Sequence, residues 1–271
     1  MCPMTTILMC RPTHFDVSYQ INPWMDPSAG AKAEIAVAEW QKLYEKYLEL
    51  GYDIELIDQV EGLPDMVYAA NGGFTLDGKA YGAKFAFPER VDEGPAYMDW
   101  FDAHGFEVFE PKHVNEGEGD MLMAGETILA GWGLRSTIES HDELRRIFDR
   151  EVLSLRLVDP RFYHLDTALT VLEGAEGQDG PNVAFLREAF DEPSLKLLDQ
   201  RFPDAIHASA ADAEVLGLNM FGTGGDLVVS DRLTDLDRQL EDAGYRTHAV
   251  GLPELLKGGG SIKCCTLLLR R

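Results

Sequence analysis

The sequence predicts an α/β fold in which five similar helix-and-strand units form a closed ring. Five times along the 271 residues, an amphipathic helix-like segment leads into a short strand. After each of these strands, a polar residue, called a polar point below, comes just before another apolar strand. By subtraction, successive polar points are separated by 49, 46, 53 and 45 residues, and they are Asn71, Asp120, Asp166, Asn219 and Cys264. Near-equal spacing predicts one repeated unit, and helices that cannot bury their apolar faces alone favour closure into a ring.

The units follow one another with little sequence left over. The first helix is predicted in AKAEIAVAEWQKLYEKYLEL, and its apolar face is expected to contain Ile35, Leu43, Tyr47 and Leu50. The same scheme is repeated in four further segments, PAYMDWFDAHGFEVFEPKHVNEGEGDMLMAG, SHDELRRIFDREVLSLRLVDPRFYHLDTALTVL, PSLKLLDQRFPDAIHASAADAEVLGLNMFGTGGDLVVS and LTDLDRQLEDAGYRTHAVGLPELLKGGGSIKCCTLLLRR. Ser140 and Glu143 have the spacing of a capping box. We expect TTILMCRP to close the ring and EGAEGQDGPN to be a hairpin tip, so that residues 1–271 form a single domain.

The chain carries 47 acidic and 24 basic residues, a net charge of −23. Such a charge repels nucleic acid and anionic lipid, so neither is an expected partner, whereas a cationic small-molecule substrate is permitted. General solubility explains the overall charge more simply. No apolar run approaches the roughly 18 residues of a membrane span, and the N-terminus lacks a signal-peptide pattern. Four cysteines without a CxxC pair argue against disulfides and structural zinc, so a cytoplasmic location without metal or organic cofactor is expected.

The segment GGGSIKCCTLLLRR contains a candidate nucleophile. Glycines permit close backbone approach to a ligand, and two cysteines follow them directly. In an extended segment Cys264 and Cys265 project to opposite faces, so only one can serve. Cys264 is nearer the glycines and is the preferred candidate, while Cys265 is expected to be buried. Taken alone, the pair would be ordinary small residues of a buried strand.

The segment FYHLDT offers a proton shuttle beside a carboxylate. His164 and Asp166 are two residues apart and would project to the same side of an extended strand. A thiolate, a histidine and carboxylates that meet at one end of the ring are suited to covalent catalysis. The ordinary alternative is a core histidine next to a turn aspartate.

The segment NEGEGD adds three acids of the same parity, Glu116, Glu118 and Asp120, which would share one side of an extended stretch. Clustered carboxylates favour a cationic ligand, and they pair in bidentate fashion with a planar guanidinium. An arginine-like small molecule is therefore the expected substrate class. The spacing does not fit an EF-hand calcium loop.

Further candidates for substrate binding lie outside these segments. Asn22 belongs to YQINPWM, which has the composition of a mobile lid or of an ordinary loop. Arg90 and Arg135 could hold a substrate carboxylate, with surface ion pairing as the alternative. Asn71 and Asn219 occupy polar points of the repeat, although asparagine also suits ordinary turns.

The segments LPDMVYAANGG, EGEGD, FYHLDT and GGGSIKCC, in this order and spacing, resemble the guanidino-group-modifying, or pentein, superfamily over essentially the whole chain. The resemblance implies a five-bladed αβ-propeller of ββαβ repeats with pseudo-fivefold symmetry. It also implies hydrolysis of C–N bonds in linear amidines without a cofactor, and it leaves homo-oligomer formation open.

Carried over by position, the family nucleophile falls on Cys264, the general acid/base on His164, and the catalytic or guanidinium-binding carboxylate on Glu116. Glu118 remains a second candidate because Asn115 replaces a usual phenylalanine and Glu118 takes the variable position. Asp166 matches the guanidinium-binding acid of the HxD motif.

Asn71 departs from the acid that deiminases and dimethylargininases carry at this position. Together with INPWM and with Arg90 in PER, it resembles the arginine dihydrolase branch, which implies ornithine, carbon dioxide and two ammonia molecules as products. Dimethylargininase or arginine deiminase, both giving citrulline, is the alternative enzyme. A non-catalytic pentein that binds a partner is the alternative of another class, and this alternative predicts that the ring contains no cysteine and histidine pair.

Overall fold

The computed structural model describes residues 5–175 and 177–271. Its strands are β1 Thr6–Cys10, β2 Asp53–Ile57, β3 Gly73–Leu76, β4 Lys79–Gly82, β5 Glu107–Phe109, β6 Met121–Ala124, β7 Thr127–Trp132, β8 Glu151–Arg156, β9 Leu169–Leu172, β10 Asn182–Phe185, β11 Ile206–His207, β12 Phe221–Thr223, β13 Asp226–Ser230, β14 Arg246–Val250 and β15 Leu267–Leu268. Its α-helices are α1 Ala33–Glu49, α2 Glu93–Ala103, α3 Ser140–Phe148, α4 Leu165–Ala168, α5 Glu192–Arg201, α6 Ala210–Ala213, α7 Asp235–Asp242 and α8 Pro253–Leu256.

The strands form five three-stranded sheets of one design. Their orders are β15-β1-β2, β3-β4-β5, β6-β7-β8, β9-β10-β11 and β12-β13-β14. In each sheet the first two strands are antiparallel, and the third returns parallel to the second after a helix. This ββαβ arrangement confirms the predicted repeat.

The ring closes through strands from the two ends of the described chain. Ile7 and Leu8 of β1 pair with Leu268 and Leu267 of β15 in antiparallel register, which confirms the predicted role of TTILMCRP. The first strand of each sheet lies on the inside, and β15 contacts β3, β6 contacts β9 and β9 contacts β12. We call β3, β6, β9, β12 and β15 the inner strands.

The first helix packs on a slightly different face from the predicted one. Trp40, Leu43 and Tyr47 are buried, but Ile35 is 41% exposed and Leu50 lies after the helix end. The interior begins at Ala36, one position later than expected, so the prediction for Ile35 was wrong.

The expected capping box in SHDEL does not form. Glu139 occupies the N-cap position without a side-chain bond, and the Ser140 hydroxyl donates to the Thr137 carbonyl. The Glu143 carboxylate accepts from the Tyr81 hydroxyl at 2.6 Å. A tertiary partner therefore takes the side chain that the capping box would need.

The predicted hairpin tip EGAEGQDGPN joins the antiparallel strands β9 and β10, which confirms the hairpin. Glu176 within it lies outside the described residues.

Candidate active site

The polar points of the repeat meet at one end of the ring. Asn71, Asp120 and Asn219 each stand one or two residues before an inner strand, and Asp166 lies in α4 just before β9. Cys264 lies in the turn before β15. Because the inner strands all start at the same end, residues separated by about fifty positions in sequence become neighbours in space.

Cys264 sits on a turn, not in the extended segment that the sequence suggested. Its backbone N–H donates to Asn219 Oδ1 at 3.0 Å, and Asn219 Nδ2 lies 3.1 Å from its Sγ. Its Sγ is 3.4 Å from Asp166 Oδ2. Asn219 also donates to the Asp166 carbonyl at 3.0 Å, so one amide fixes both the thiol and the neighbouring acid. Cys265 is fully buried among apolar side chains, as expected.

Burial raises the pKa of the Cys264 thiol well above its ordinary value, and the charge of Asp166 acts in the same direction. The thiol of the free protein is therefore neutral near pH 7. A cation bound beside Cys264 and Asp166 would favour the thiolate, so activation of this nucleophile is coupled to the charge of a ligand.

His164 and Glu116 form a buried pair. His164 Nε2 lies 2.6 Å from Glu116 Oε2, and each side chain is at most 1% exposed. Burial opposes the ionisation of Glu116, but the Arg135 guanidinium and the His164 bond outweigh it and lower the pKa of the carboxyl. An ionised Glu116 has no proton to donate, so Nε2–H is the donor and Nδ1 is left as the basic nitrogen.

The local backbone at these residues differs from the extended form that was expected. His164 is the N-cap of α4, and Asp166 belongs to that helical turn. Asp120 anchors the turn, because its Oδ1 accepts from the Leu165 N–H at 3.0 Å and its Oδ2 from the Ser136 hydroxyl at 2.5 Å. Both Asp120 oxygens are thus occupied, and the residue positions α4.

The three acids of NEGEGD do not share a face. A short 3-10 helix over Gly117–Gly119, with a φ of +54° at Gly117, turns their side chains apart. Glu118 is held by Lys263 Nζ at 2.8 Å and by the Leu268 N–H at 3.0 Å, and it also pairs with Arg270. The structure therefore does not bring Glu118 to His164, and Glu116 alone occupies that position.

Gly119 is required by close approach. A Cβ at this position would lie 2.3 Å from Asn71 Nδ2 and 3.2 Å from the imidazole of His164. The glycine thus allows two loops of the site to touch.

Three carboxylates of the described chain have a buried oxygen without a hydrogen-bond partner: Asp166, Asp65 and the half-buried Asp237 of α7. Asp166 and Asp65 are buried as whole residues, and in each the oxygen without a partner is Oδ1. Burial raises the pKa of Asp166 to about 6, with His164 and Lys263 opposing the shift. Burial likewise raises the pKa of Asp65, whose Oδ2 accepts from the Tyr19 hydroxyl at 3.0 Å. Unsatisfied buried acceptors are costly, so a cationic ligand that reached either of these two oxygens would be stabilised there.

Arg90 and Arg135 are buried, so the surface ion-pair alternative is wrong for both. Arg90 makes a bidentate pair with Glu93 at 2.9 and 2.8 Å and donates to Asn71 Oδ1 at 3.0 Å. Arg135 pairs with Glu116 at 3.2 Å and donates to the Ile21 carbonyl at 2.8 Å.

Asn71 and Asn22 have different surroundings. The Asn71 side chain lies between Arg90 and the Glu116 carbonyl, which its Nδ2 approaches at 3.4 Å. Asn22 instead joins the N-terminal loop to the C-terminal glycines: its Nδ2 donates to the Gly258 carbonyl at 3.1 Å, and its Oδ1 accepts from the Trp24 N–H.

Sequence reasoning missed Asp65, Glu93 and Tyr163. Asp65 stands in the segment LPDM, in a 3-10 turn over Pro64–Val67, and nothing in that segment distinguishes it from an ordinary turn acid. Tyr163 lies beside His164, and its hydroxyl donates to the Gly259 carbonyl at 2.7 Å. Glu93 carries no signal in the sequence, because its role depends on its contact with Arg90.

The sequence of this chain is similar to that of an enzyme of known function. The chain is 46% identical over 259 residues to N(G),N(G)-dimethylarginine dimethylaminohydrolase of Mycobacterium tuberculosis, covering 96% of this chain and 84% of that protein. The chain belongs to the pentein superfamily of guanidino-group-modifying enzymes. The relatives through which it belongs there are hydrolases that act on the guanidino group of arginine-type molecules, which agrees with the predicted enzyme class. No family model matches the sequence.

This pentein is also similar to arginine dihydrolases. It is 36% identical over 268 residues to the bifunctional arginine dihydrolase/ornithine cyclodeaminase ArgZ of Synechocystis, and it spans 37% of the length of ArgZ. The N-terminal domain of ArgZ, solved as a cysteine-to-serine mutant bound to its substrate, matches with a TM-score of 0.91 at 34% identity over 98% of both chains. A dimethylarginine dimethylaminohydrolase structure with 17% identity and a TM-score of 0.76 supports the fold alone.

The described part of the pentein contains no group of three or more His, Cys, Asp or Glu side chains arranged to hold a metal ion. Within that same part, no helix has the length and apolar character needed to cross a membrane.

Proposed function

We propose that this pentein is an arginine dihydrolase that converts arginine and two waters into ornithine, carbon dioxide and two ammonia molecules. The observation that carries the proposal is Asn71, a neutral amide between Arg90 and the Glu116 carbonyl in a site otherwise rich in carboxylates. An asparagine-to-serine variant of the ArgZ dihydrolase domain has been solved covalently bound to a reaction intermediate. We assign to Asn71 of this chain the role of helping the covalent intermediate to undergo its next reaction.

In the proposed first half-reaction, the Nδ1 of His164 takes the proton of the Cys264 thiol, and the thiolate attacks the guanidinium carbon while Asp166 holds the guanidinium through its free Oδ1. Collapse of the tetrahedral adduct breaks one C–N bond, and His164 supplies the proton that lets ammonia leave. The product of this step is a thiouronium bound to Cys264.

Water then attacks the thiouronium carbon, with the Nδ1 of His164 as the proton acceptor. The C–S bond breaks, the thiolate returns to Cys264, and the ureido group of citrulline remains. A second attack by Cys264 on the retained ureido carbon releases the second ammonia, and hydrolysis of the resulting thiocarbamate gives carbon dioxide and ornithine.

The other proposed contacts follow from charge. Asp65, whose Oδ1 accepts no hydrogen bond, is proposed to receive the α-ammonium of arginine, and Arg90 or Arg135 its α-carboxylate. Three further residues are proposed to position parts of the site. Asn22 holds the loop that covers the substrate.

Asn219 orients the thiol, and Asp120 acts through the position of α4. Glu118 is proposed to act only through Lys263, at a distance from the substrate.

We further propose that residues 1–271 form one catalytic domain, that the protein works in the cytoplasm without a cofactor, and that nucleic acid and membranes are not its partners. Homo-oligomer formation stays open.

A specific observation favours dimethylargininase as the second candidate: the identity to the mycobacterial enzyme is 46%, against 36% to ArgZ. The two functions differ in the leaving group. Side-by-side kcat/KM values for L-arginine and N(G),N(G)-dimethylarginine, read as ammonia and dimethylamine, separate them. A dihydrolase favours arginine, whereas preference for the methylated substrate would overturn the proposal.

A further inference from the structure

A cavity of about 140 Å³ lies farther along the inner strands than the candidate active site. Strands β6, β9, β12 and β15 all contribute to its wall. Its lining residues are Leu122, Met123, Leu169, Thr170, Val171, Glu173, Met220, Phe221, Gly222, Thr223, Lys263, Leu268 and Arg270. The proposed catalytic residues Cys264, His164 and Glu116 are not among them, so this is a second site in the ring.

The wall of the cavity combines two chemistries. Leucine, methionine, valine and phenylalanine side chains provide most of the surface. Two cations, Lys263 and Arg270, share a single carboxylate, that of Glu118, and Arg270 is the more exposed of the pair. This cluster therefore carries a net positive charge. Glu173 is the one carboxylate in the lining, and its Oε1 already accepts from the Gly125 N–H at 3.2 Å.

The cationic part of the wall is already ordered. Lys263 is only 5% exposed, and its Nζ donates to Glu118 at 2.8 Å and to the Thr266 carbonyl at 2.8 Å. The Arg270 guanidinium also donates to the Thr75 carbonyl at 3.1 Å. A ligand that meets pre-positioned donors does not have to order them, which favours binding.

We propose that this cavity binds a small carboxylate with an apolar body of about the size of a benzene ring. A cavity of roughly 150 Å³ with apolar walls is large enough to hold benzene. The carboxylate would face Lys263 and Arg270, where charge-assisted hydrogen bonds are strong. The apolar body would lie against the side chains of β6, β9 and β12.

Titration calorimetry with sodium benzoate tests the proposal on the intact wild-type protein without any turnover. We expect saturable binding of one benzoate per chain, and at least roughly tenfold weaker binding of benzyl alcohol, which has the same ring without the charge. Because no reaction is measured, failure of this proposal and failure of the proposed dihydrolase activity give different results. Equal binding of the alcohol and the acid, or binding of neither, would overturn the proposal.

Two substitutions of one residue locate the bound molecule. Val171 in β9 is half-buried and lines the cavity. Val171→Phe fills the space and should abolish benzoate binding, whereas Val171→Ala leaves it open and should retain binding. Far-ultraviolet circular dichroism and thermal melting check that both variants are folded. Unchanged benzoate affinity in a folded Val171→Phe protein would mean that benzoate binds elsewhere, for instance at the active-site arginines, and would refute the assignment.

Discussion

His164 Nε2 lies 2.6 Å from Glu116 Oε2 in the interior of the ring, and Arg135 approaches the same carboxylate oxygen at 3.2 Å. The arrangement keeps Glu116 ionised and directs the Nε2 proton of His164 towards it. A histidine oriented in this way has one nitrogen committed to structure and one available for proton transfer.

Replacing Glu116 by glutamine should lower kcat by roughly 10²- to 10⁴-fold, because the imidazole loses the carboxylate that accepts its Nε2 proton and orients the ring. Steady-state kinetics across pH measure the effect. Glu118→Gln is the matched control from the same loop. It breaks the ion pairs with Lys263 and Arg270, so it should lower Tm while leaving the pH profile of kcat close to that of the wild type. A larger catalytic loss in Glu118→Gln than in Glu116→Gln would contradict the assignment.

The two adjacent cysteines should differ completely in function. Cys264→Ser is expected to reduce turnover to background, because the thiol that attacks the substrate is gone. Cys265→Ser should leave most of kcat and cost stability, since Cys265 is fully buried among apolar side chains. Turnover assays together with thermal melts test the pair, and retention of full activity by Cys264→Ser would refute covalent catalysis.

The Asp166 carboxyl should destabilise the ligand-free fold near neutral pH. Burial raises its pKa from 3.8 to about 6, so below pH 3.8 folded and unfolded chains are both protonated and no penalty exists. As pH rises from 3.8 towards 6, the unfolded chain releases its proton first and the fold loses stability, by roughly 2 to 3 kcal/mol once pH exceeds 6. Asp166→Asn should therefore raise Tm at pH 7 while abolishing turnover.

Thermal melts of wild type and Asp166→Asn at pH 4 and pH 7 check this pattern. The advantage of the variant should be large at pH 7 and small at pH 4. An equal advantage at both values would show that charge burial is not its cause.

The same substitution should change the reactivity of the nucleophile. The negative charge of Asp166 is one reason why the pKa of Cys264 is raised, with burial as the larger reason. Removing the charge should increase the thiolate fraction and speed alkylation of Cys264 by iodoacetamide. Mass mapping of the alkylated peptide identifies the residue. Slower labelling in a folded Asp166→Asn protein would contradict this electrostatic coupling.

Asn71→Asp should shift the products from ornithine towards citrulline. Asn71 Oδ1 now accepts a hydrogen bond from the Arg90 guanidinium at 3.0 Å. A carboxylate in its place would form an ion pair with Arg90, and this change should alter how the ureido group is held for the second attack. The measured quantity is the ratio of citrulline to ornithine under single-turnover conditions. An unchanged ratio would remove Asn71 from the proposed second step.

The sequence carried enough information to predict the ring and the meeting of its polar points. Asp166, Asn219 and Cys264 come together because each precedes an inner strand, and equal spacing makes those strands equivalent. Periodicity of the repeat therefore predicts proximity without any knowledge of individual side-chain contacts.

Side-chain direction at the loops was predicted less well. The parity rule holds only for extended backbone, and the short 3-10 turn at Gly117–Gly119 and the helical turn α4 both break it. Glu118 consequently faces Lys263 instead of His164. A single glycine with a positive φ decides this outcome, and alternation along the chain does not reveal it.

The role of Asp65 could not be derived from its neighbours in sequence. Its free carboxylate oxygen is notable only because the surrounding chain buries it and Tyr19, 46 residues away, takes the other oxygen. Such a property arises from tertiary packing, so local composition carries little trace of it.

The most direct test of the proposed function is the stoichiometry of arginine consumption. Purified protein is incubated with L-arginine, the carbon-containing product is identified by mass, and ammonia is counted per arginine consumed. We predict ornithine with two ammonia molecules released for each arginine. Citrulline with one ammonia would contradict the dihydrolase proposal and place the enzyme among those that stop after the first hydrolysis.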